Sequence, residues 1–172
     1  MNRTKTLTLS PIGRRTVLAS AMSMAAGLAM MTGLAFAQQP SDIEAVKAAN
    51  TAFYVALSAR DVKAMEGLWA NKPYVTNIGP VSKSIAVGFE DAVSKYFGNN
   101  FNNVFSAVSA SMTSTAQLQT DGKLAWVVGT ENAKLTFKTG EVREFVTFTT
   151  NVFEKDGDRW LMVSHQAGIV PK

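Results

Sequence analysis

The chain has no cysteine and one histidine, His165. The first absence excludes disulfides, thiolate metal sites, a cysteine nucleophile and a lipoprotein anchor, so the fold must hold by packing alone. The second leaves a metal only carboxylates to bind, with no HExxH-like spacing among them, so neither a metal nor another cofactor is expected. The chain also has no excess of one charge once its N-terminus is set aside. Residues 1–37 carry four of the 17 basic residues (Arg3, Lys5, Arg14 and Arg15) and none of the 13 acidic ones, so residues 38–172 hold 13 of each sign. A neutral domain lacks the electrostatic footprint of a nucleic-acid binder.

The N-terminal segment reads as an export signal. Its basic residues precede a mildly apolar stretch, Thr16 to Leu34, that ends in the small-x-small site Ala35-Phe36-Ala37. Gly13-Arg14-Arg15-Thr16-Val17-Leu18-Ala19 resembles a twin-arginine signal, and the weak hydrophobicity suits that route better than a general secretory one. Gly27, Thr32 and Gly33 interrupt a segment already short for a membrane anchor. The expectation is a periplasmic or secreted protein with a single domain over residues 38–172 and no stable anchor after cleavage.

Within that domain, Ser41-Asp42-Ile43-Glu44 has the form of a capping box, and Ile43, Val46, Ala49, Phe53 and Leu57 follow at steps of three and four. This predicts a helix over about 42–59. Asp61 caps a short second helix with Met65, Leu68 and Trp69 inward. Tyr74 to Ile78 reads as a short strand, followed by a loop to about Val87. A third helix runs from about Phe89 to Phe97 and is stopped by Gly98-Asn99-Asn100.

From Asn102 the period becomes two. Val104, Val108, Ala110, Met112, Ala116 and Leu118 share one face, and Ser109 to Gln119 form a wet one. In the next strand Leu124, Trp126 and Val128 have one parity and Ala133, Leu135 and Phe137 the other, which predicts a bulge or sharp bend beside Gly129. Glu131, beside it, is read as solvated, the alternative being an inward carboxylate. A third strand aligns Val142, Val146, Phe148 and Val152, with Arg143 and Glu144 as exposed charges. After the turn Lys155-Asp156-Gly157-Asp158, a fourth aligns Leu161, Val163, His165, Ala167 and Ile169. The fold class is α+β: three N-terminal helices in the hollow of a strongly curved, mostly antiparallel sheet, a cone with a pocket.

Several segments together resemble the SnoaL-like branch of the nuclear transport factor 2-like superfamily. They are Phe53-Tyr54-Val55-Ala56-Leu57 with Asp61, Met65, Leu68 and Trp69; Gly88-Phe89; Ala125-Trp126-Val127-Val128-Gly129; and Asp156-Gly157-Asp158-Arg159-Trp160 through Gly168. Their order and spacing point to the fold, which hosts isomerases, cyclases, dehydratases, hydrolases and plain binding modules. The resemblance to ketosteroid isomerases can be carried residue by residue. Aligned on Asp61, the base position falls on Asn77 and the phenol position on Phe53; aligned on the last hairpin, the protonated-acid position falls on Thr150. Asn77 cannot act as a base and Phe53 cannot donate, so that mechanism is not expected.

His165 is the one candidate catalytic residue. It stands either as an acid, base or donor toward a ligand, or as a core histidine bonded to backbone or to Thr150. Ser164 is no nucleophile for it, because strand neighbours point to opposite faces. Tyr54, Trp69, Asn77, Thr150 and His165 are the candidate ligand-binding residues, although core packing is the preferred reading of Tyr54 and Trp69. The expected function is binding of a small, partly apolar molecule, with catalysis through His165 as the alternative. The family also implies a homodimer paired through the outer sheet face.

Overall fold

The computed structural model describes residues 40–171. The expected export signal and the Ser41 side chain lie outside the described residues.

Helix α1 (Pro40–Ala59) buries a stripe of Val46, Asn50, Phe53, Tyr54 and Ala56. It starts two residues earlier than the capping box predicts, and Glu44 pairs with Lys47. Its first turn is tied to the far end of the chain, where Asp42 Oδ1 accepts from Lys155 Nζ at 2.6 Å and from Trp160 Nε1 at 3.3 Å. The Lys155 hydrogen bond holds the Asp42 carboxyl below its ordinary range. α1 ends in a Schellman motif, with Asp61 N–H on Ala56 O and Arg60 N–H on Leu57 O. Arg60 takes the left-handed position that glycine usually fills (φ 54°). Its guanidinium donates to Phe101 O and Phe105 O, which compensates that strain. α2 (Val62–Leu68) is capped by Asp61 Oδ1, which accepts from Ala64 N at 2.9 Å.

The third helix does not stop at Gly98-Asn99-Asn100. It continues through a π-helical stretch (Glu90–Lys95), an α-helical turn (Tyr96–Asn99) and a second π-helical stretch (Asn100–Val104). Packing overrides the stop signal: Val93, Phe97, Phe101 and Phe105 recur every four residues and are all buried, so the core holds the turn open.

Six strands form one sheet: β1 (Thr76–Ile78), β2 (Ala86–Val87), β3 (Phe105–Thr120), β4 (Leu124–Phe137), β5 (Val142–Asp156) and β6 (Arg159–Ile169). Their order is β2-β1-β6-β5-β4-β3, antiparallel throughout except for β1 beside β6. β2 falls in what the sequence marks as loop. α1 packs against both β3 and β6, which have β4 and β5 between them, so the sheet must curl around the helix. The core lies in that hollow.

Two strands present faces other than those their apolar patterns predict. In β4 the buried parity is odd from end to end (Ala125, Val127, Glu131, Ala133, Leu135), and Leu124 and Trp126 face out. No parity change occurs, and the β4–β5 register runs unbroken. The irregularities lie in the partner strand β3, at Met112/Ser114 and Thr115/Gln117. Gly129 is nonetheless essential there: a Cβ on it would stand 1.9 Å from Ser114 O, so the bulged β3 backbone rests directly on it. In β5, Val142, Val146 and Phe148 are exposed, whereas Thr147, Thr149, Asn151 and Phe153 are buried. The inward polar residues are tolerated because they bond to one another and to α1.

Candidate functional site

The hollow retains a narrow cavity of about 50 Å³ that is partly open to solvent. Most of its wall is apolar, from Phe53 and Leu57 of α1, Phe97 and Phe101 of the third helix, and Phe105, Val108 and Leu135 of the sheet. Three buried polar side chains reach the same space: Asn77, Glu131 and His165. Asn77 and His165 are register partners on the parallel strands β1 and β6, so both point into the hollow side by side. Half-buried Pro80, Val81, Tyr96 and Asn100 form the rim, where Tyr96 Oη and Ser82 Oγ are 3.1 Å apart.

Behind the polar end stands a buried hydrogen-bond network. Asn151 Nδ2 donates to Asn50 Oδ1 at 2.7 Å, so the carbonyl end of the same amide faces His165 Nδ1, also at 2.7 Å. An amide oxygen only accepts, and His165 therefore carries its proton on Nδ1. Its Nε2 is left with a lone pair and makes no hydrogen bond to the described residues. Phe53 lies against the ring, with centroids 5.0 Å apart. Burial pushes the imidazole down to about 4, so it is neutral at pH 7.

Tyr54 Oη donates to Glu131 Oε2 at 3.0 Å, and Thr149 Oγ1 approaches the same oxygen at 3.5 Å. Burial raises the Glu131 carboxyl above its usual range, and the Tyr54 and Thr149 hydrogen bonds oppose only part of that rise. Tyr54 is itself raised, first by burial and then by the Glu131 charge beside it.

Of the five ligand-binding candidates, the structure thus brings Asn77 and His165 to the cavity. Tyr54 sits behind it and orients Glu131. Trp69 is a core residue, edge-on to Phe53 at 6.4 Å and outside the cavity wall. Thr150 is a correction: β5 turns it to the outer face, opposite Val128 and Gln166, and the histidine's partner is Asn151. Glu131 is a second correction, being 2 % exposed and not solvated. The missed residues left traces in the sequence. Glu131 shares parity with Ala133 and Leu135, Asn50 interrupts the α1 stripe four residues after Val46, and Thr147, Thr149 and Asn151 lie between two inward phenylalanines of β5. Among the described residues no three His, Asp or Glu side chains cluster as metal ligands.

A curled sheet around a long helix, with a pocket at its open end, is the cone of the nuclear transport factor 2-like superfamily, and solved structures of that class superpose on the chain. One, named as a candidate dehydratase of that family from Streptomyces avermitilis, has a TM-score of 0.68 at 24% identity, covering 78% of this chain and all of the other. Another, named as a candidate aromatic ring hydroxylase from Novosphingobium aromaticivorans, has a TM-score of 0.69 at 15% identity, covering 78% and 94%. A type 2 hexachlorocyclohexane dehydrochlorinase has a TM-score of 0.64 at 10% identity, covering 76% and 86%. These likenesses show the fold. The family model for the SnoaL-like domain matches residues 46–171, and the chain belongs to that family. No curated protein matches the sequence.

Proposed function

We propose that this domain binds a small, largely apolar molecule in the cone cavity. The observation that carries the reading is the cavity itself, an aromatic and aliphatic wall closed at its buried end by Asn77, Glu131 and His165. Native mass spectrometry of the purified protein against a denatured sample tests it. The expected result is a co-purifying molecule of defined mass that is lost when Ala110→Phe fills the cavity. A clean apo spectrum, with no small apolar compound binding differently to the two proteins, overturns it.

One observation favours a second reading, proton-transfer catalysis. His165 is held neutral, with its tautomer set by Asn151 and its Nε2 lone pair open to the cavity, which is the state a general base requires. Glu131, whose carboxyl burial raises, is a second titratable group at the same end. Dehydration and dehydrochlorination, the reactions in two neighbours' names, both remove a proton from carbon as water or chloride leaves. His165→Gln separates the readings. Lost turnover with retained binding supports catalysis, and unchanged turnover ends it.

Export and pairing complete the proposal. The leader supports export to the periplasm or beyond, and the outward Trp126, Val146 and Phe148 support back-to-back pairing of two copies through the sheet.

A further inference from the structure

The polar atoms left open at the buried end of the cavity are acceptors. Asn77 is fully buried and donates one of its two amide N–H groups to Ala92 O at 2.9 Å, and its Oδ1 has no partner among the described residues. His165 spends its only N–H on Asn151, so Nε2 can only accept. Glu131 receives Tyr54 and Thr149 on Oε2, and its second oxygen takes no hydrogen bond from the described residues. Among the described residues no lysine or arginine lines the cavity. The hydroxyls near its rim, on Tyr96 and Ser82, are engaged with each other.

A buried acceptor without a donor is costly, and a ligand that brings the donor removes that cost. A ligand bringing a further acceptor or a negative charge gains nothing at this end and meets repulsion from Asn77 Oδ1 and the Glu131 carboxyl. Asn77 and His165 are register partners on neighbouring strands, so both side chains lie at the same end of the cavity.

We propose that the cavity selects a neutral or cationic ligand presenting O–H or N–H donors from an apolar ring or chain, and rejects anions. This selectivity rests on the small-molecule reading above and deepens it. Toluene, phenol, aniline and benzoate, titrated into the purified protein, are the probes. They share one ring and differ in the group offered to Asn77 and His165. Phenol and aniline bind at least tenfold more tightly than toluene, and benzoate no more tightly than toluene. Because His165 is the chain's only histidine, its Nε2 nitrogen resonance reports the contact directly. It moves toward the hydrogen-bonded range with phenol and stays in place with toluene. Should toluene or benzoate match phenol, the donor selectivity is overturned while the cavity stands as a binding site. Should none of the four bind at millimolar concentration, both fall.

Discussion

Lowering the pH from 7 toward 4 should destabilise this protein through His165, and replacing that residue by glutamine should remove that part of the loss. The unfolded imidazole takes up a proton near 6.5, whereas the buried one resists until about 4. Above 6.5 both states are neutral and the group contributes no pH dependence. Between 6.5 and 4 the unfolded state binds one more proton than the folded state, so stability falls by about 1.4 kcal/mol per pH unit. The total approaches about 3 kcal/mol at pH 4 and then levels off. Against a typical domain stability of roughly 5–15 kcal/mol, this is a large fraction.

Glu131 runs the other way. Its folded carboxyl is raised above 4.5, so its contribution is fully present below that value and lost as pH rises through the folded pKa. Asp42, Asp121 and Glu141 are held below their ordinary values, and what they contribute is lost only as pH falls through the acid range beneath those values. The difference between wild type and His165→Gln, measured by urea unfolding at half-unit pH steps, isolates the histidine. Glutamine can still donate to Asn151. The stability of wild type minus that of the variant should be about 2–3 kcal/mol lower at pH 4.5 than at pH 7. Histidine NMR on the folded protein gives the independent check. An imidazole titrating near 6.5, or two stability curves falling in parallel, would refute the buried, neutral, Asn151-bonded assignment.

Tyr54→Phe removes the hydroxyl that joins Glu131 to Asn151; it should cost about 1–2 kcal/mol and push the Glu131 carboxyl higher still, as read by carboxyl-carbon NMR titration. Gly129→Ala drives a Cβ into Ser114 O and should cost more than about 3 kcal/mol or prevent folding. Gly168→Ala, with open space around it, should stay within about 0.5 kcal/mol in the same denaturant melts. Phe148 is 63% exposed on the outer face. If pairing uses that face, Phe148→Asp yields monomers in sedimentation without lowering the melting temperature, and an unchanged sedimentation coefficient argues against pairing there.

What the sequence determined by itself is what local chemistry decides. Helix periodicity placed α1 and its buried Phe53, and Asp61 capped α2 because a carboxylate there meets a free backbone N–H whatever surrounds it. The alternation around His165 put the imidazole on the inner face, since strand geometry leaves a residue only two sides. Order and spacing of the weaker motifs were enough to identify the SnoaL-like fold.

Other features follow from contacts across the fold. The third helix ran past Gly98 because Phe101 and Phe105 had a core to enter. β5 turned its valines outward, and Thr150 with them, because Thr147, Thr149 and Asn151 find partners only inside, on Glu131, Asn50 and His165. A polar residue reads as surface until its hydrogen-bond partner is known. Here those partners lie 14 to 101 residues away in the chain, for Asn151 with His165 and with Asn50. The buried carboxyl and the histidine's tautomer are therefore products of tertiary structure, because both depend on which distant groups share the same dry space.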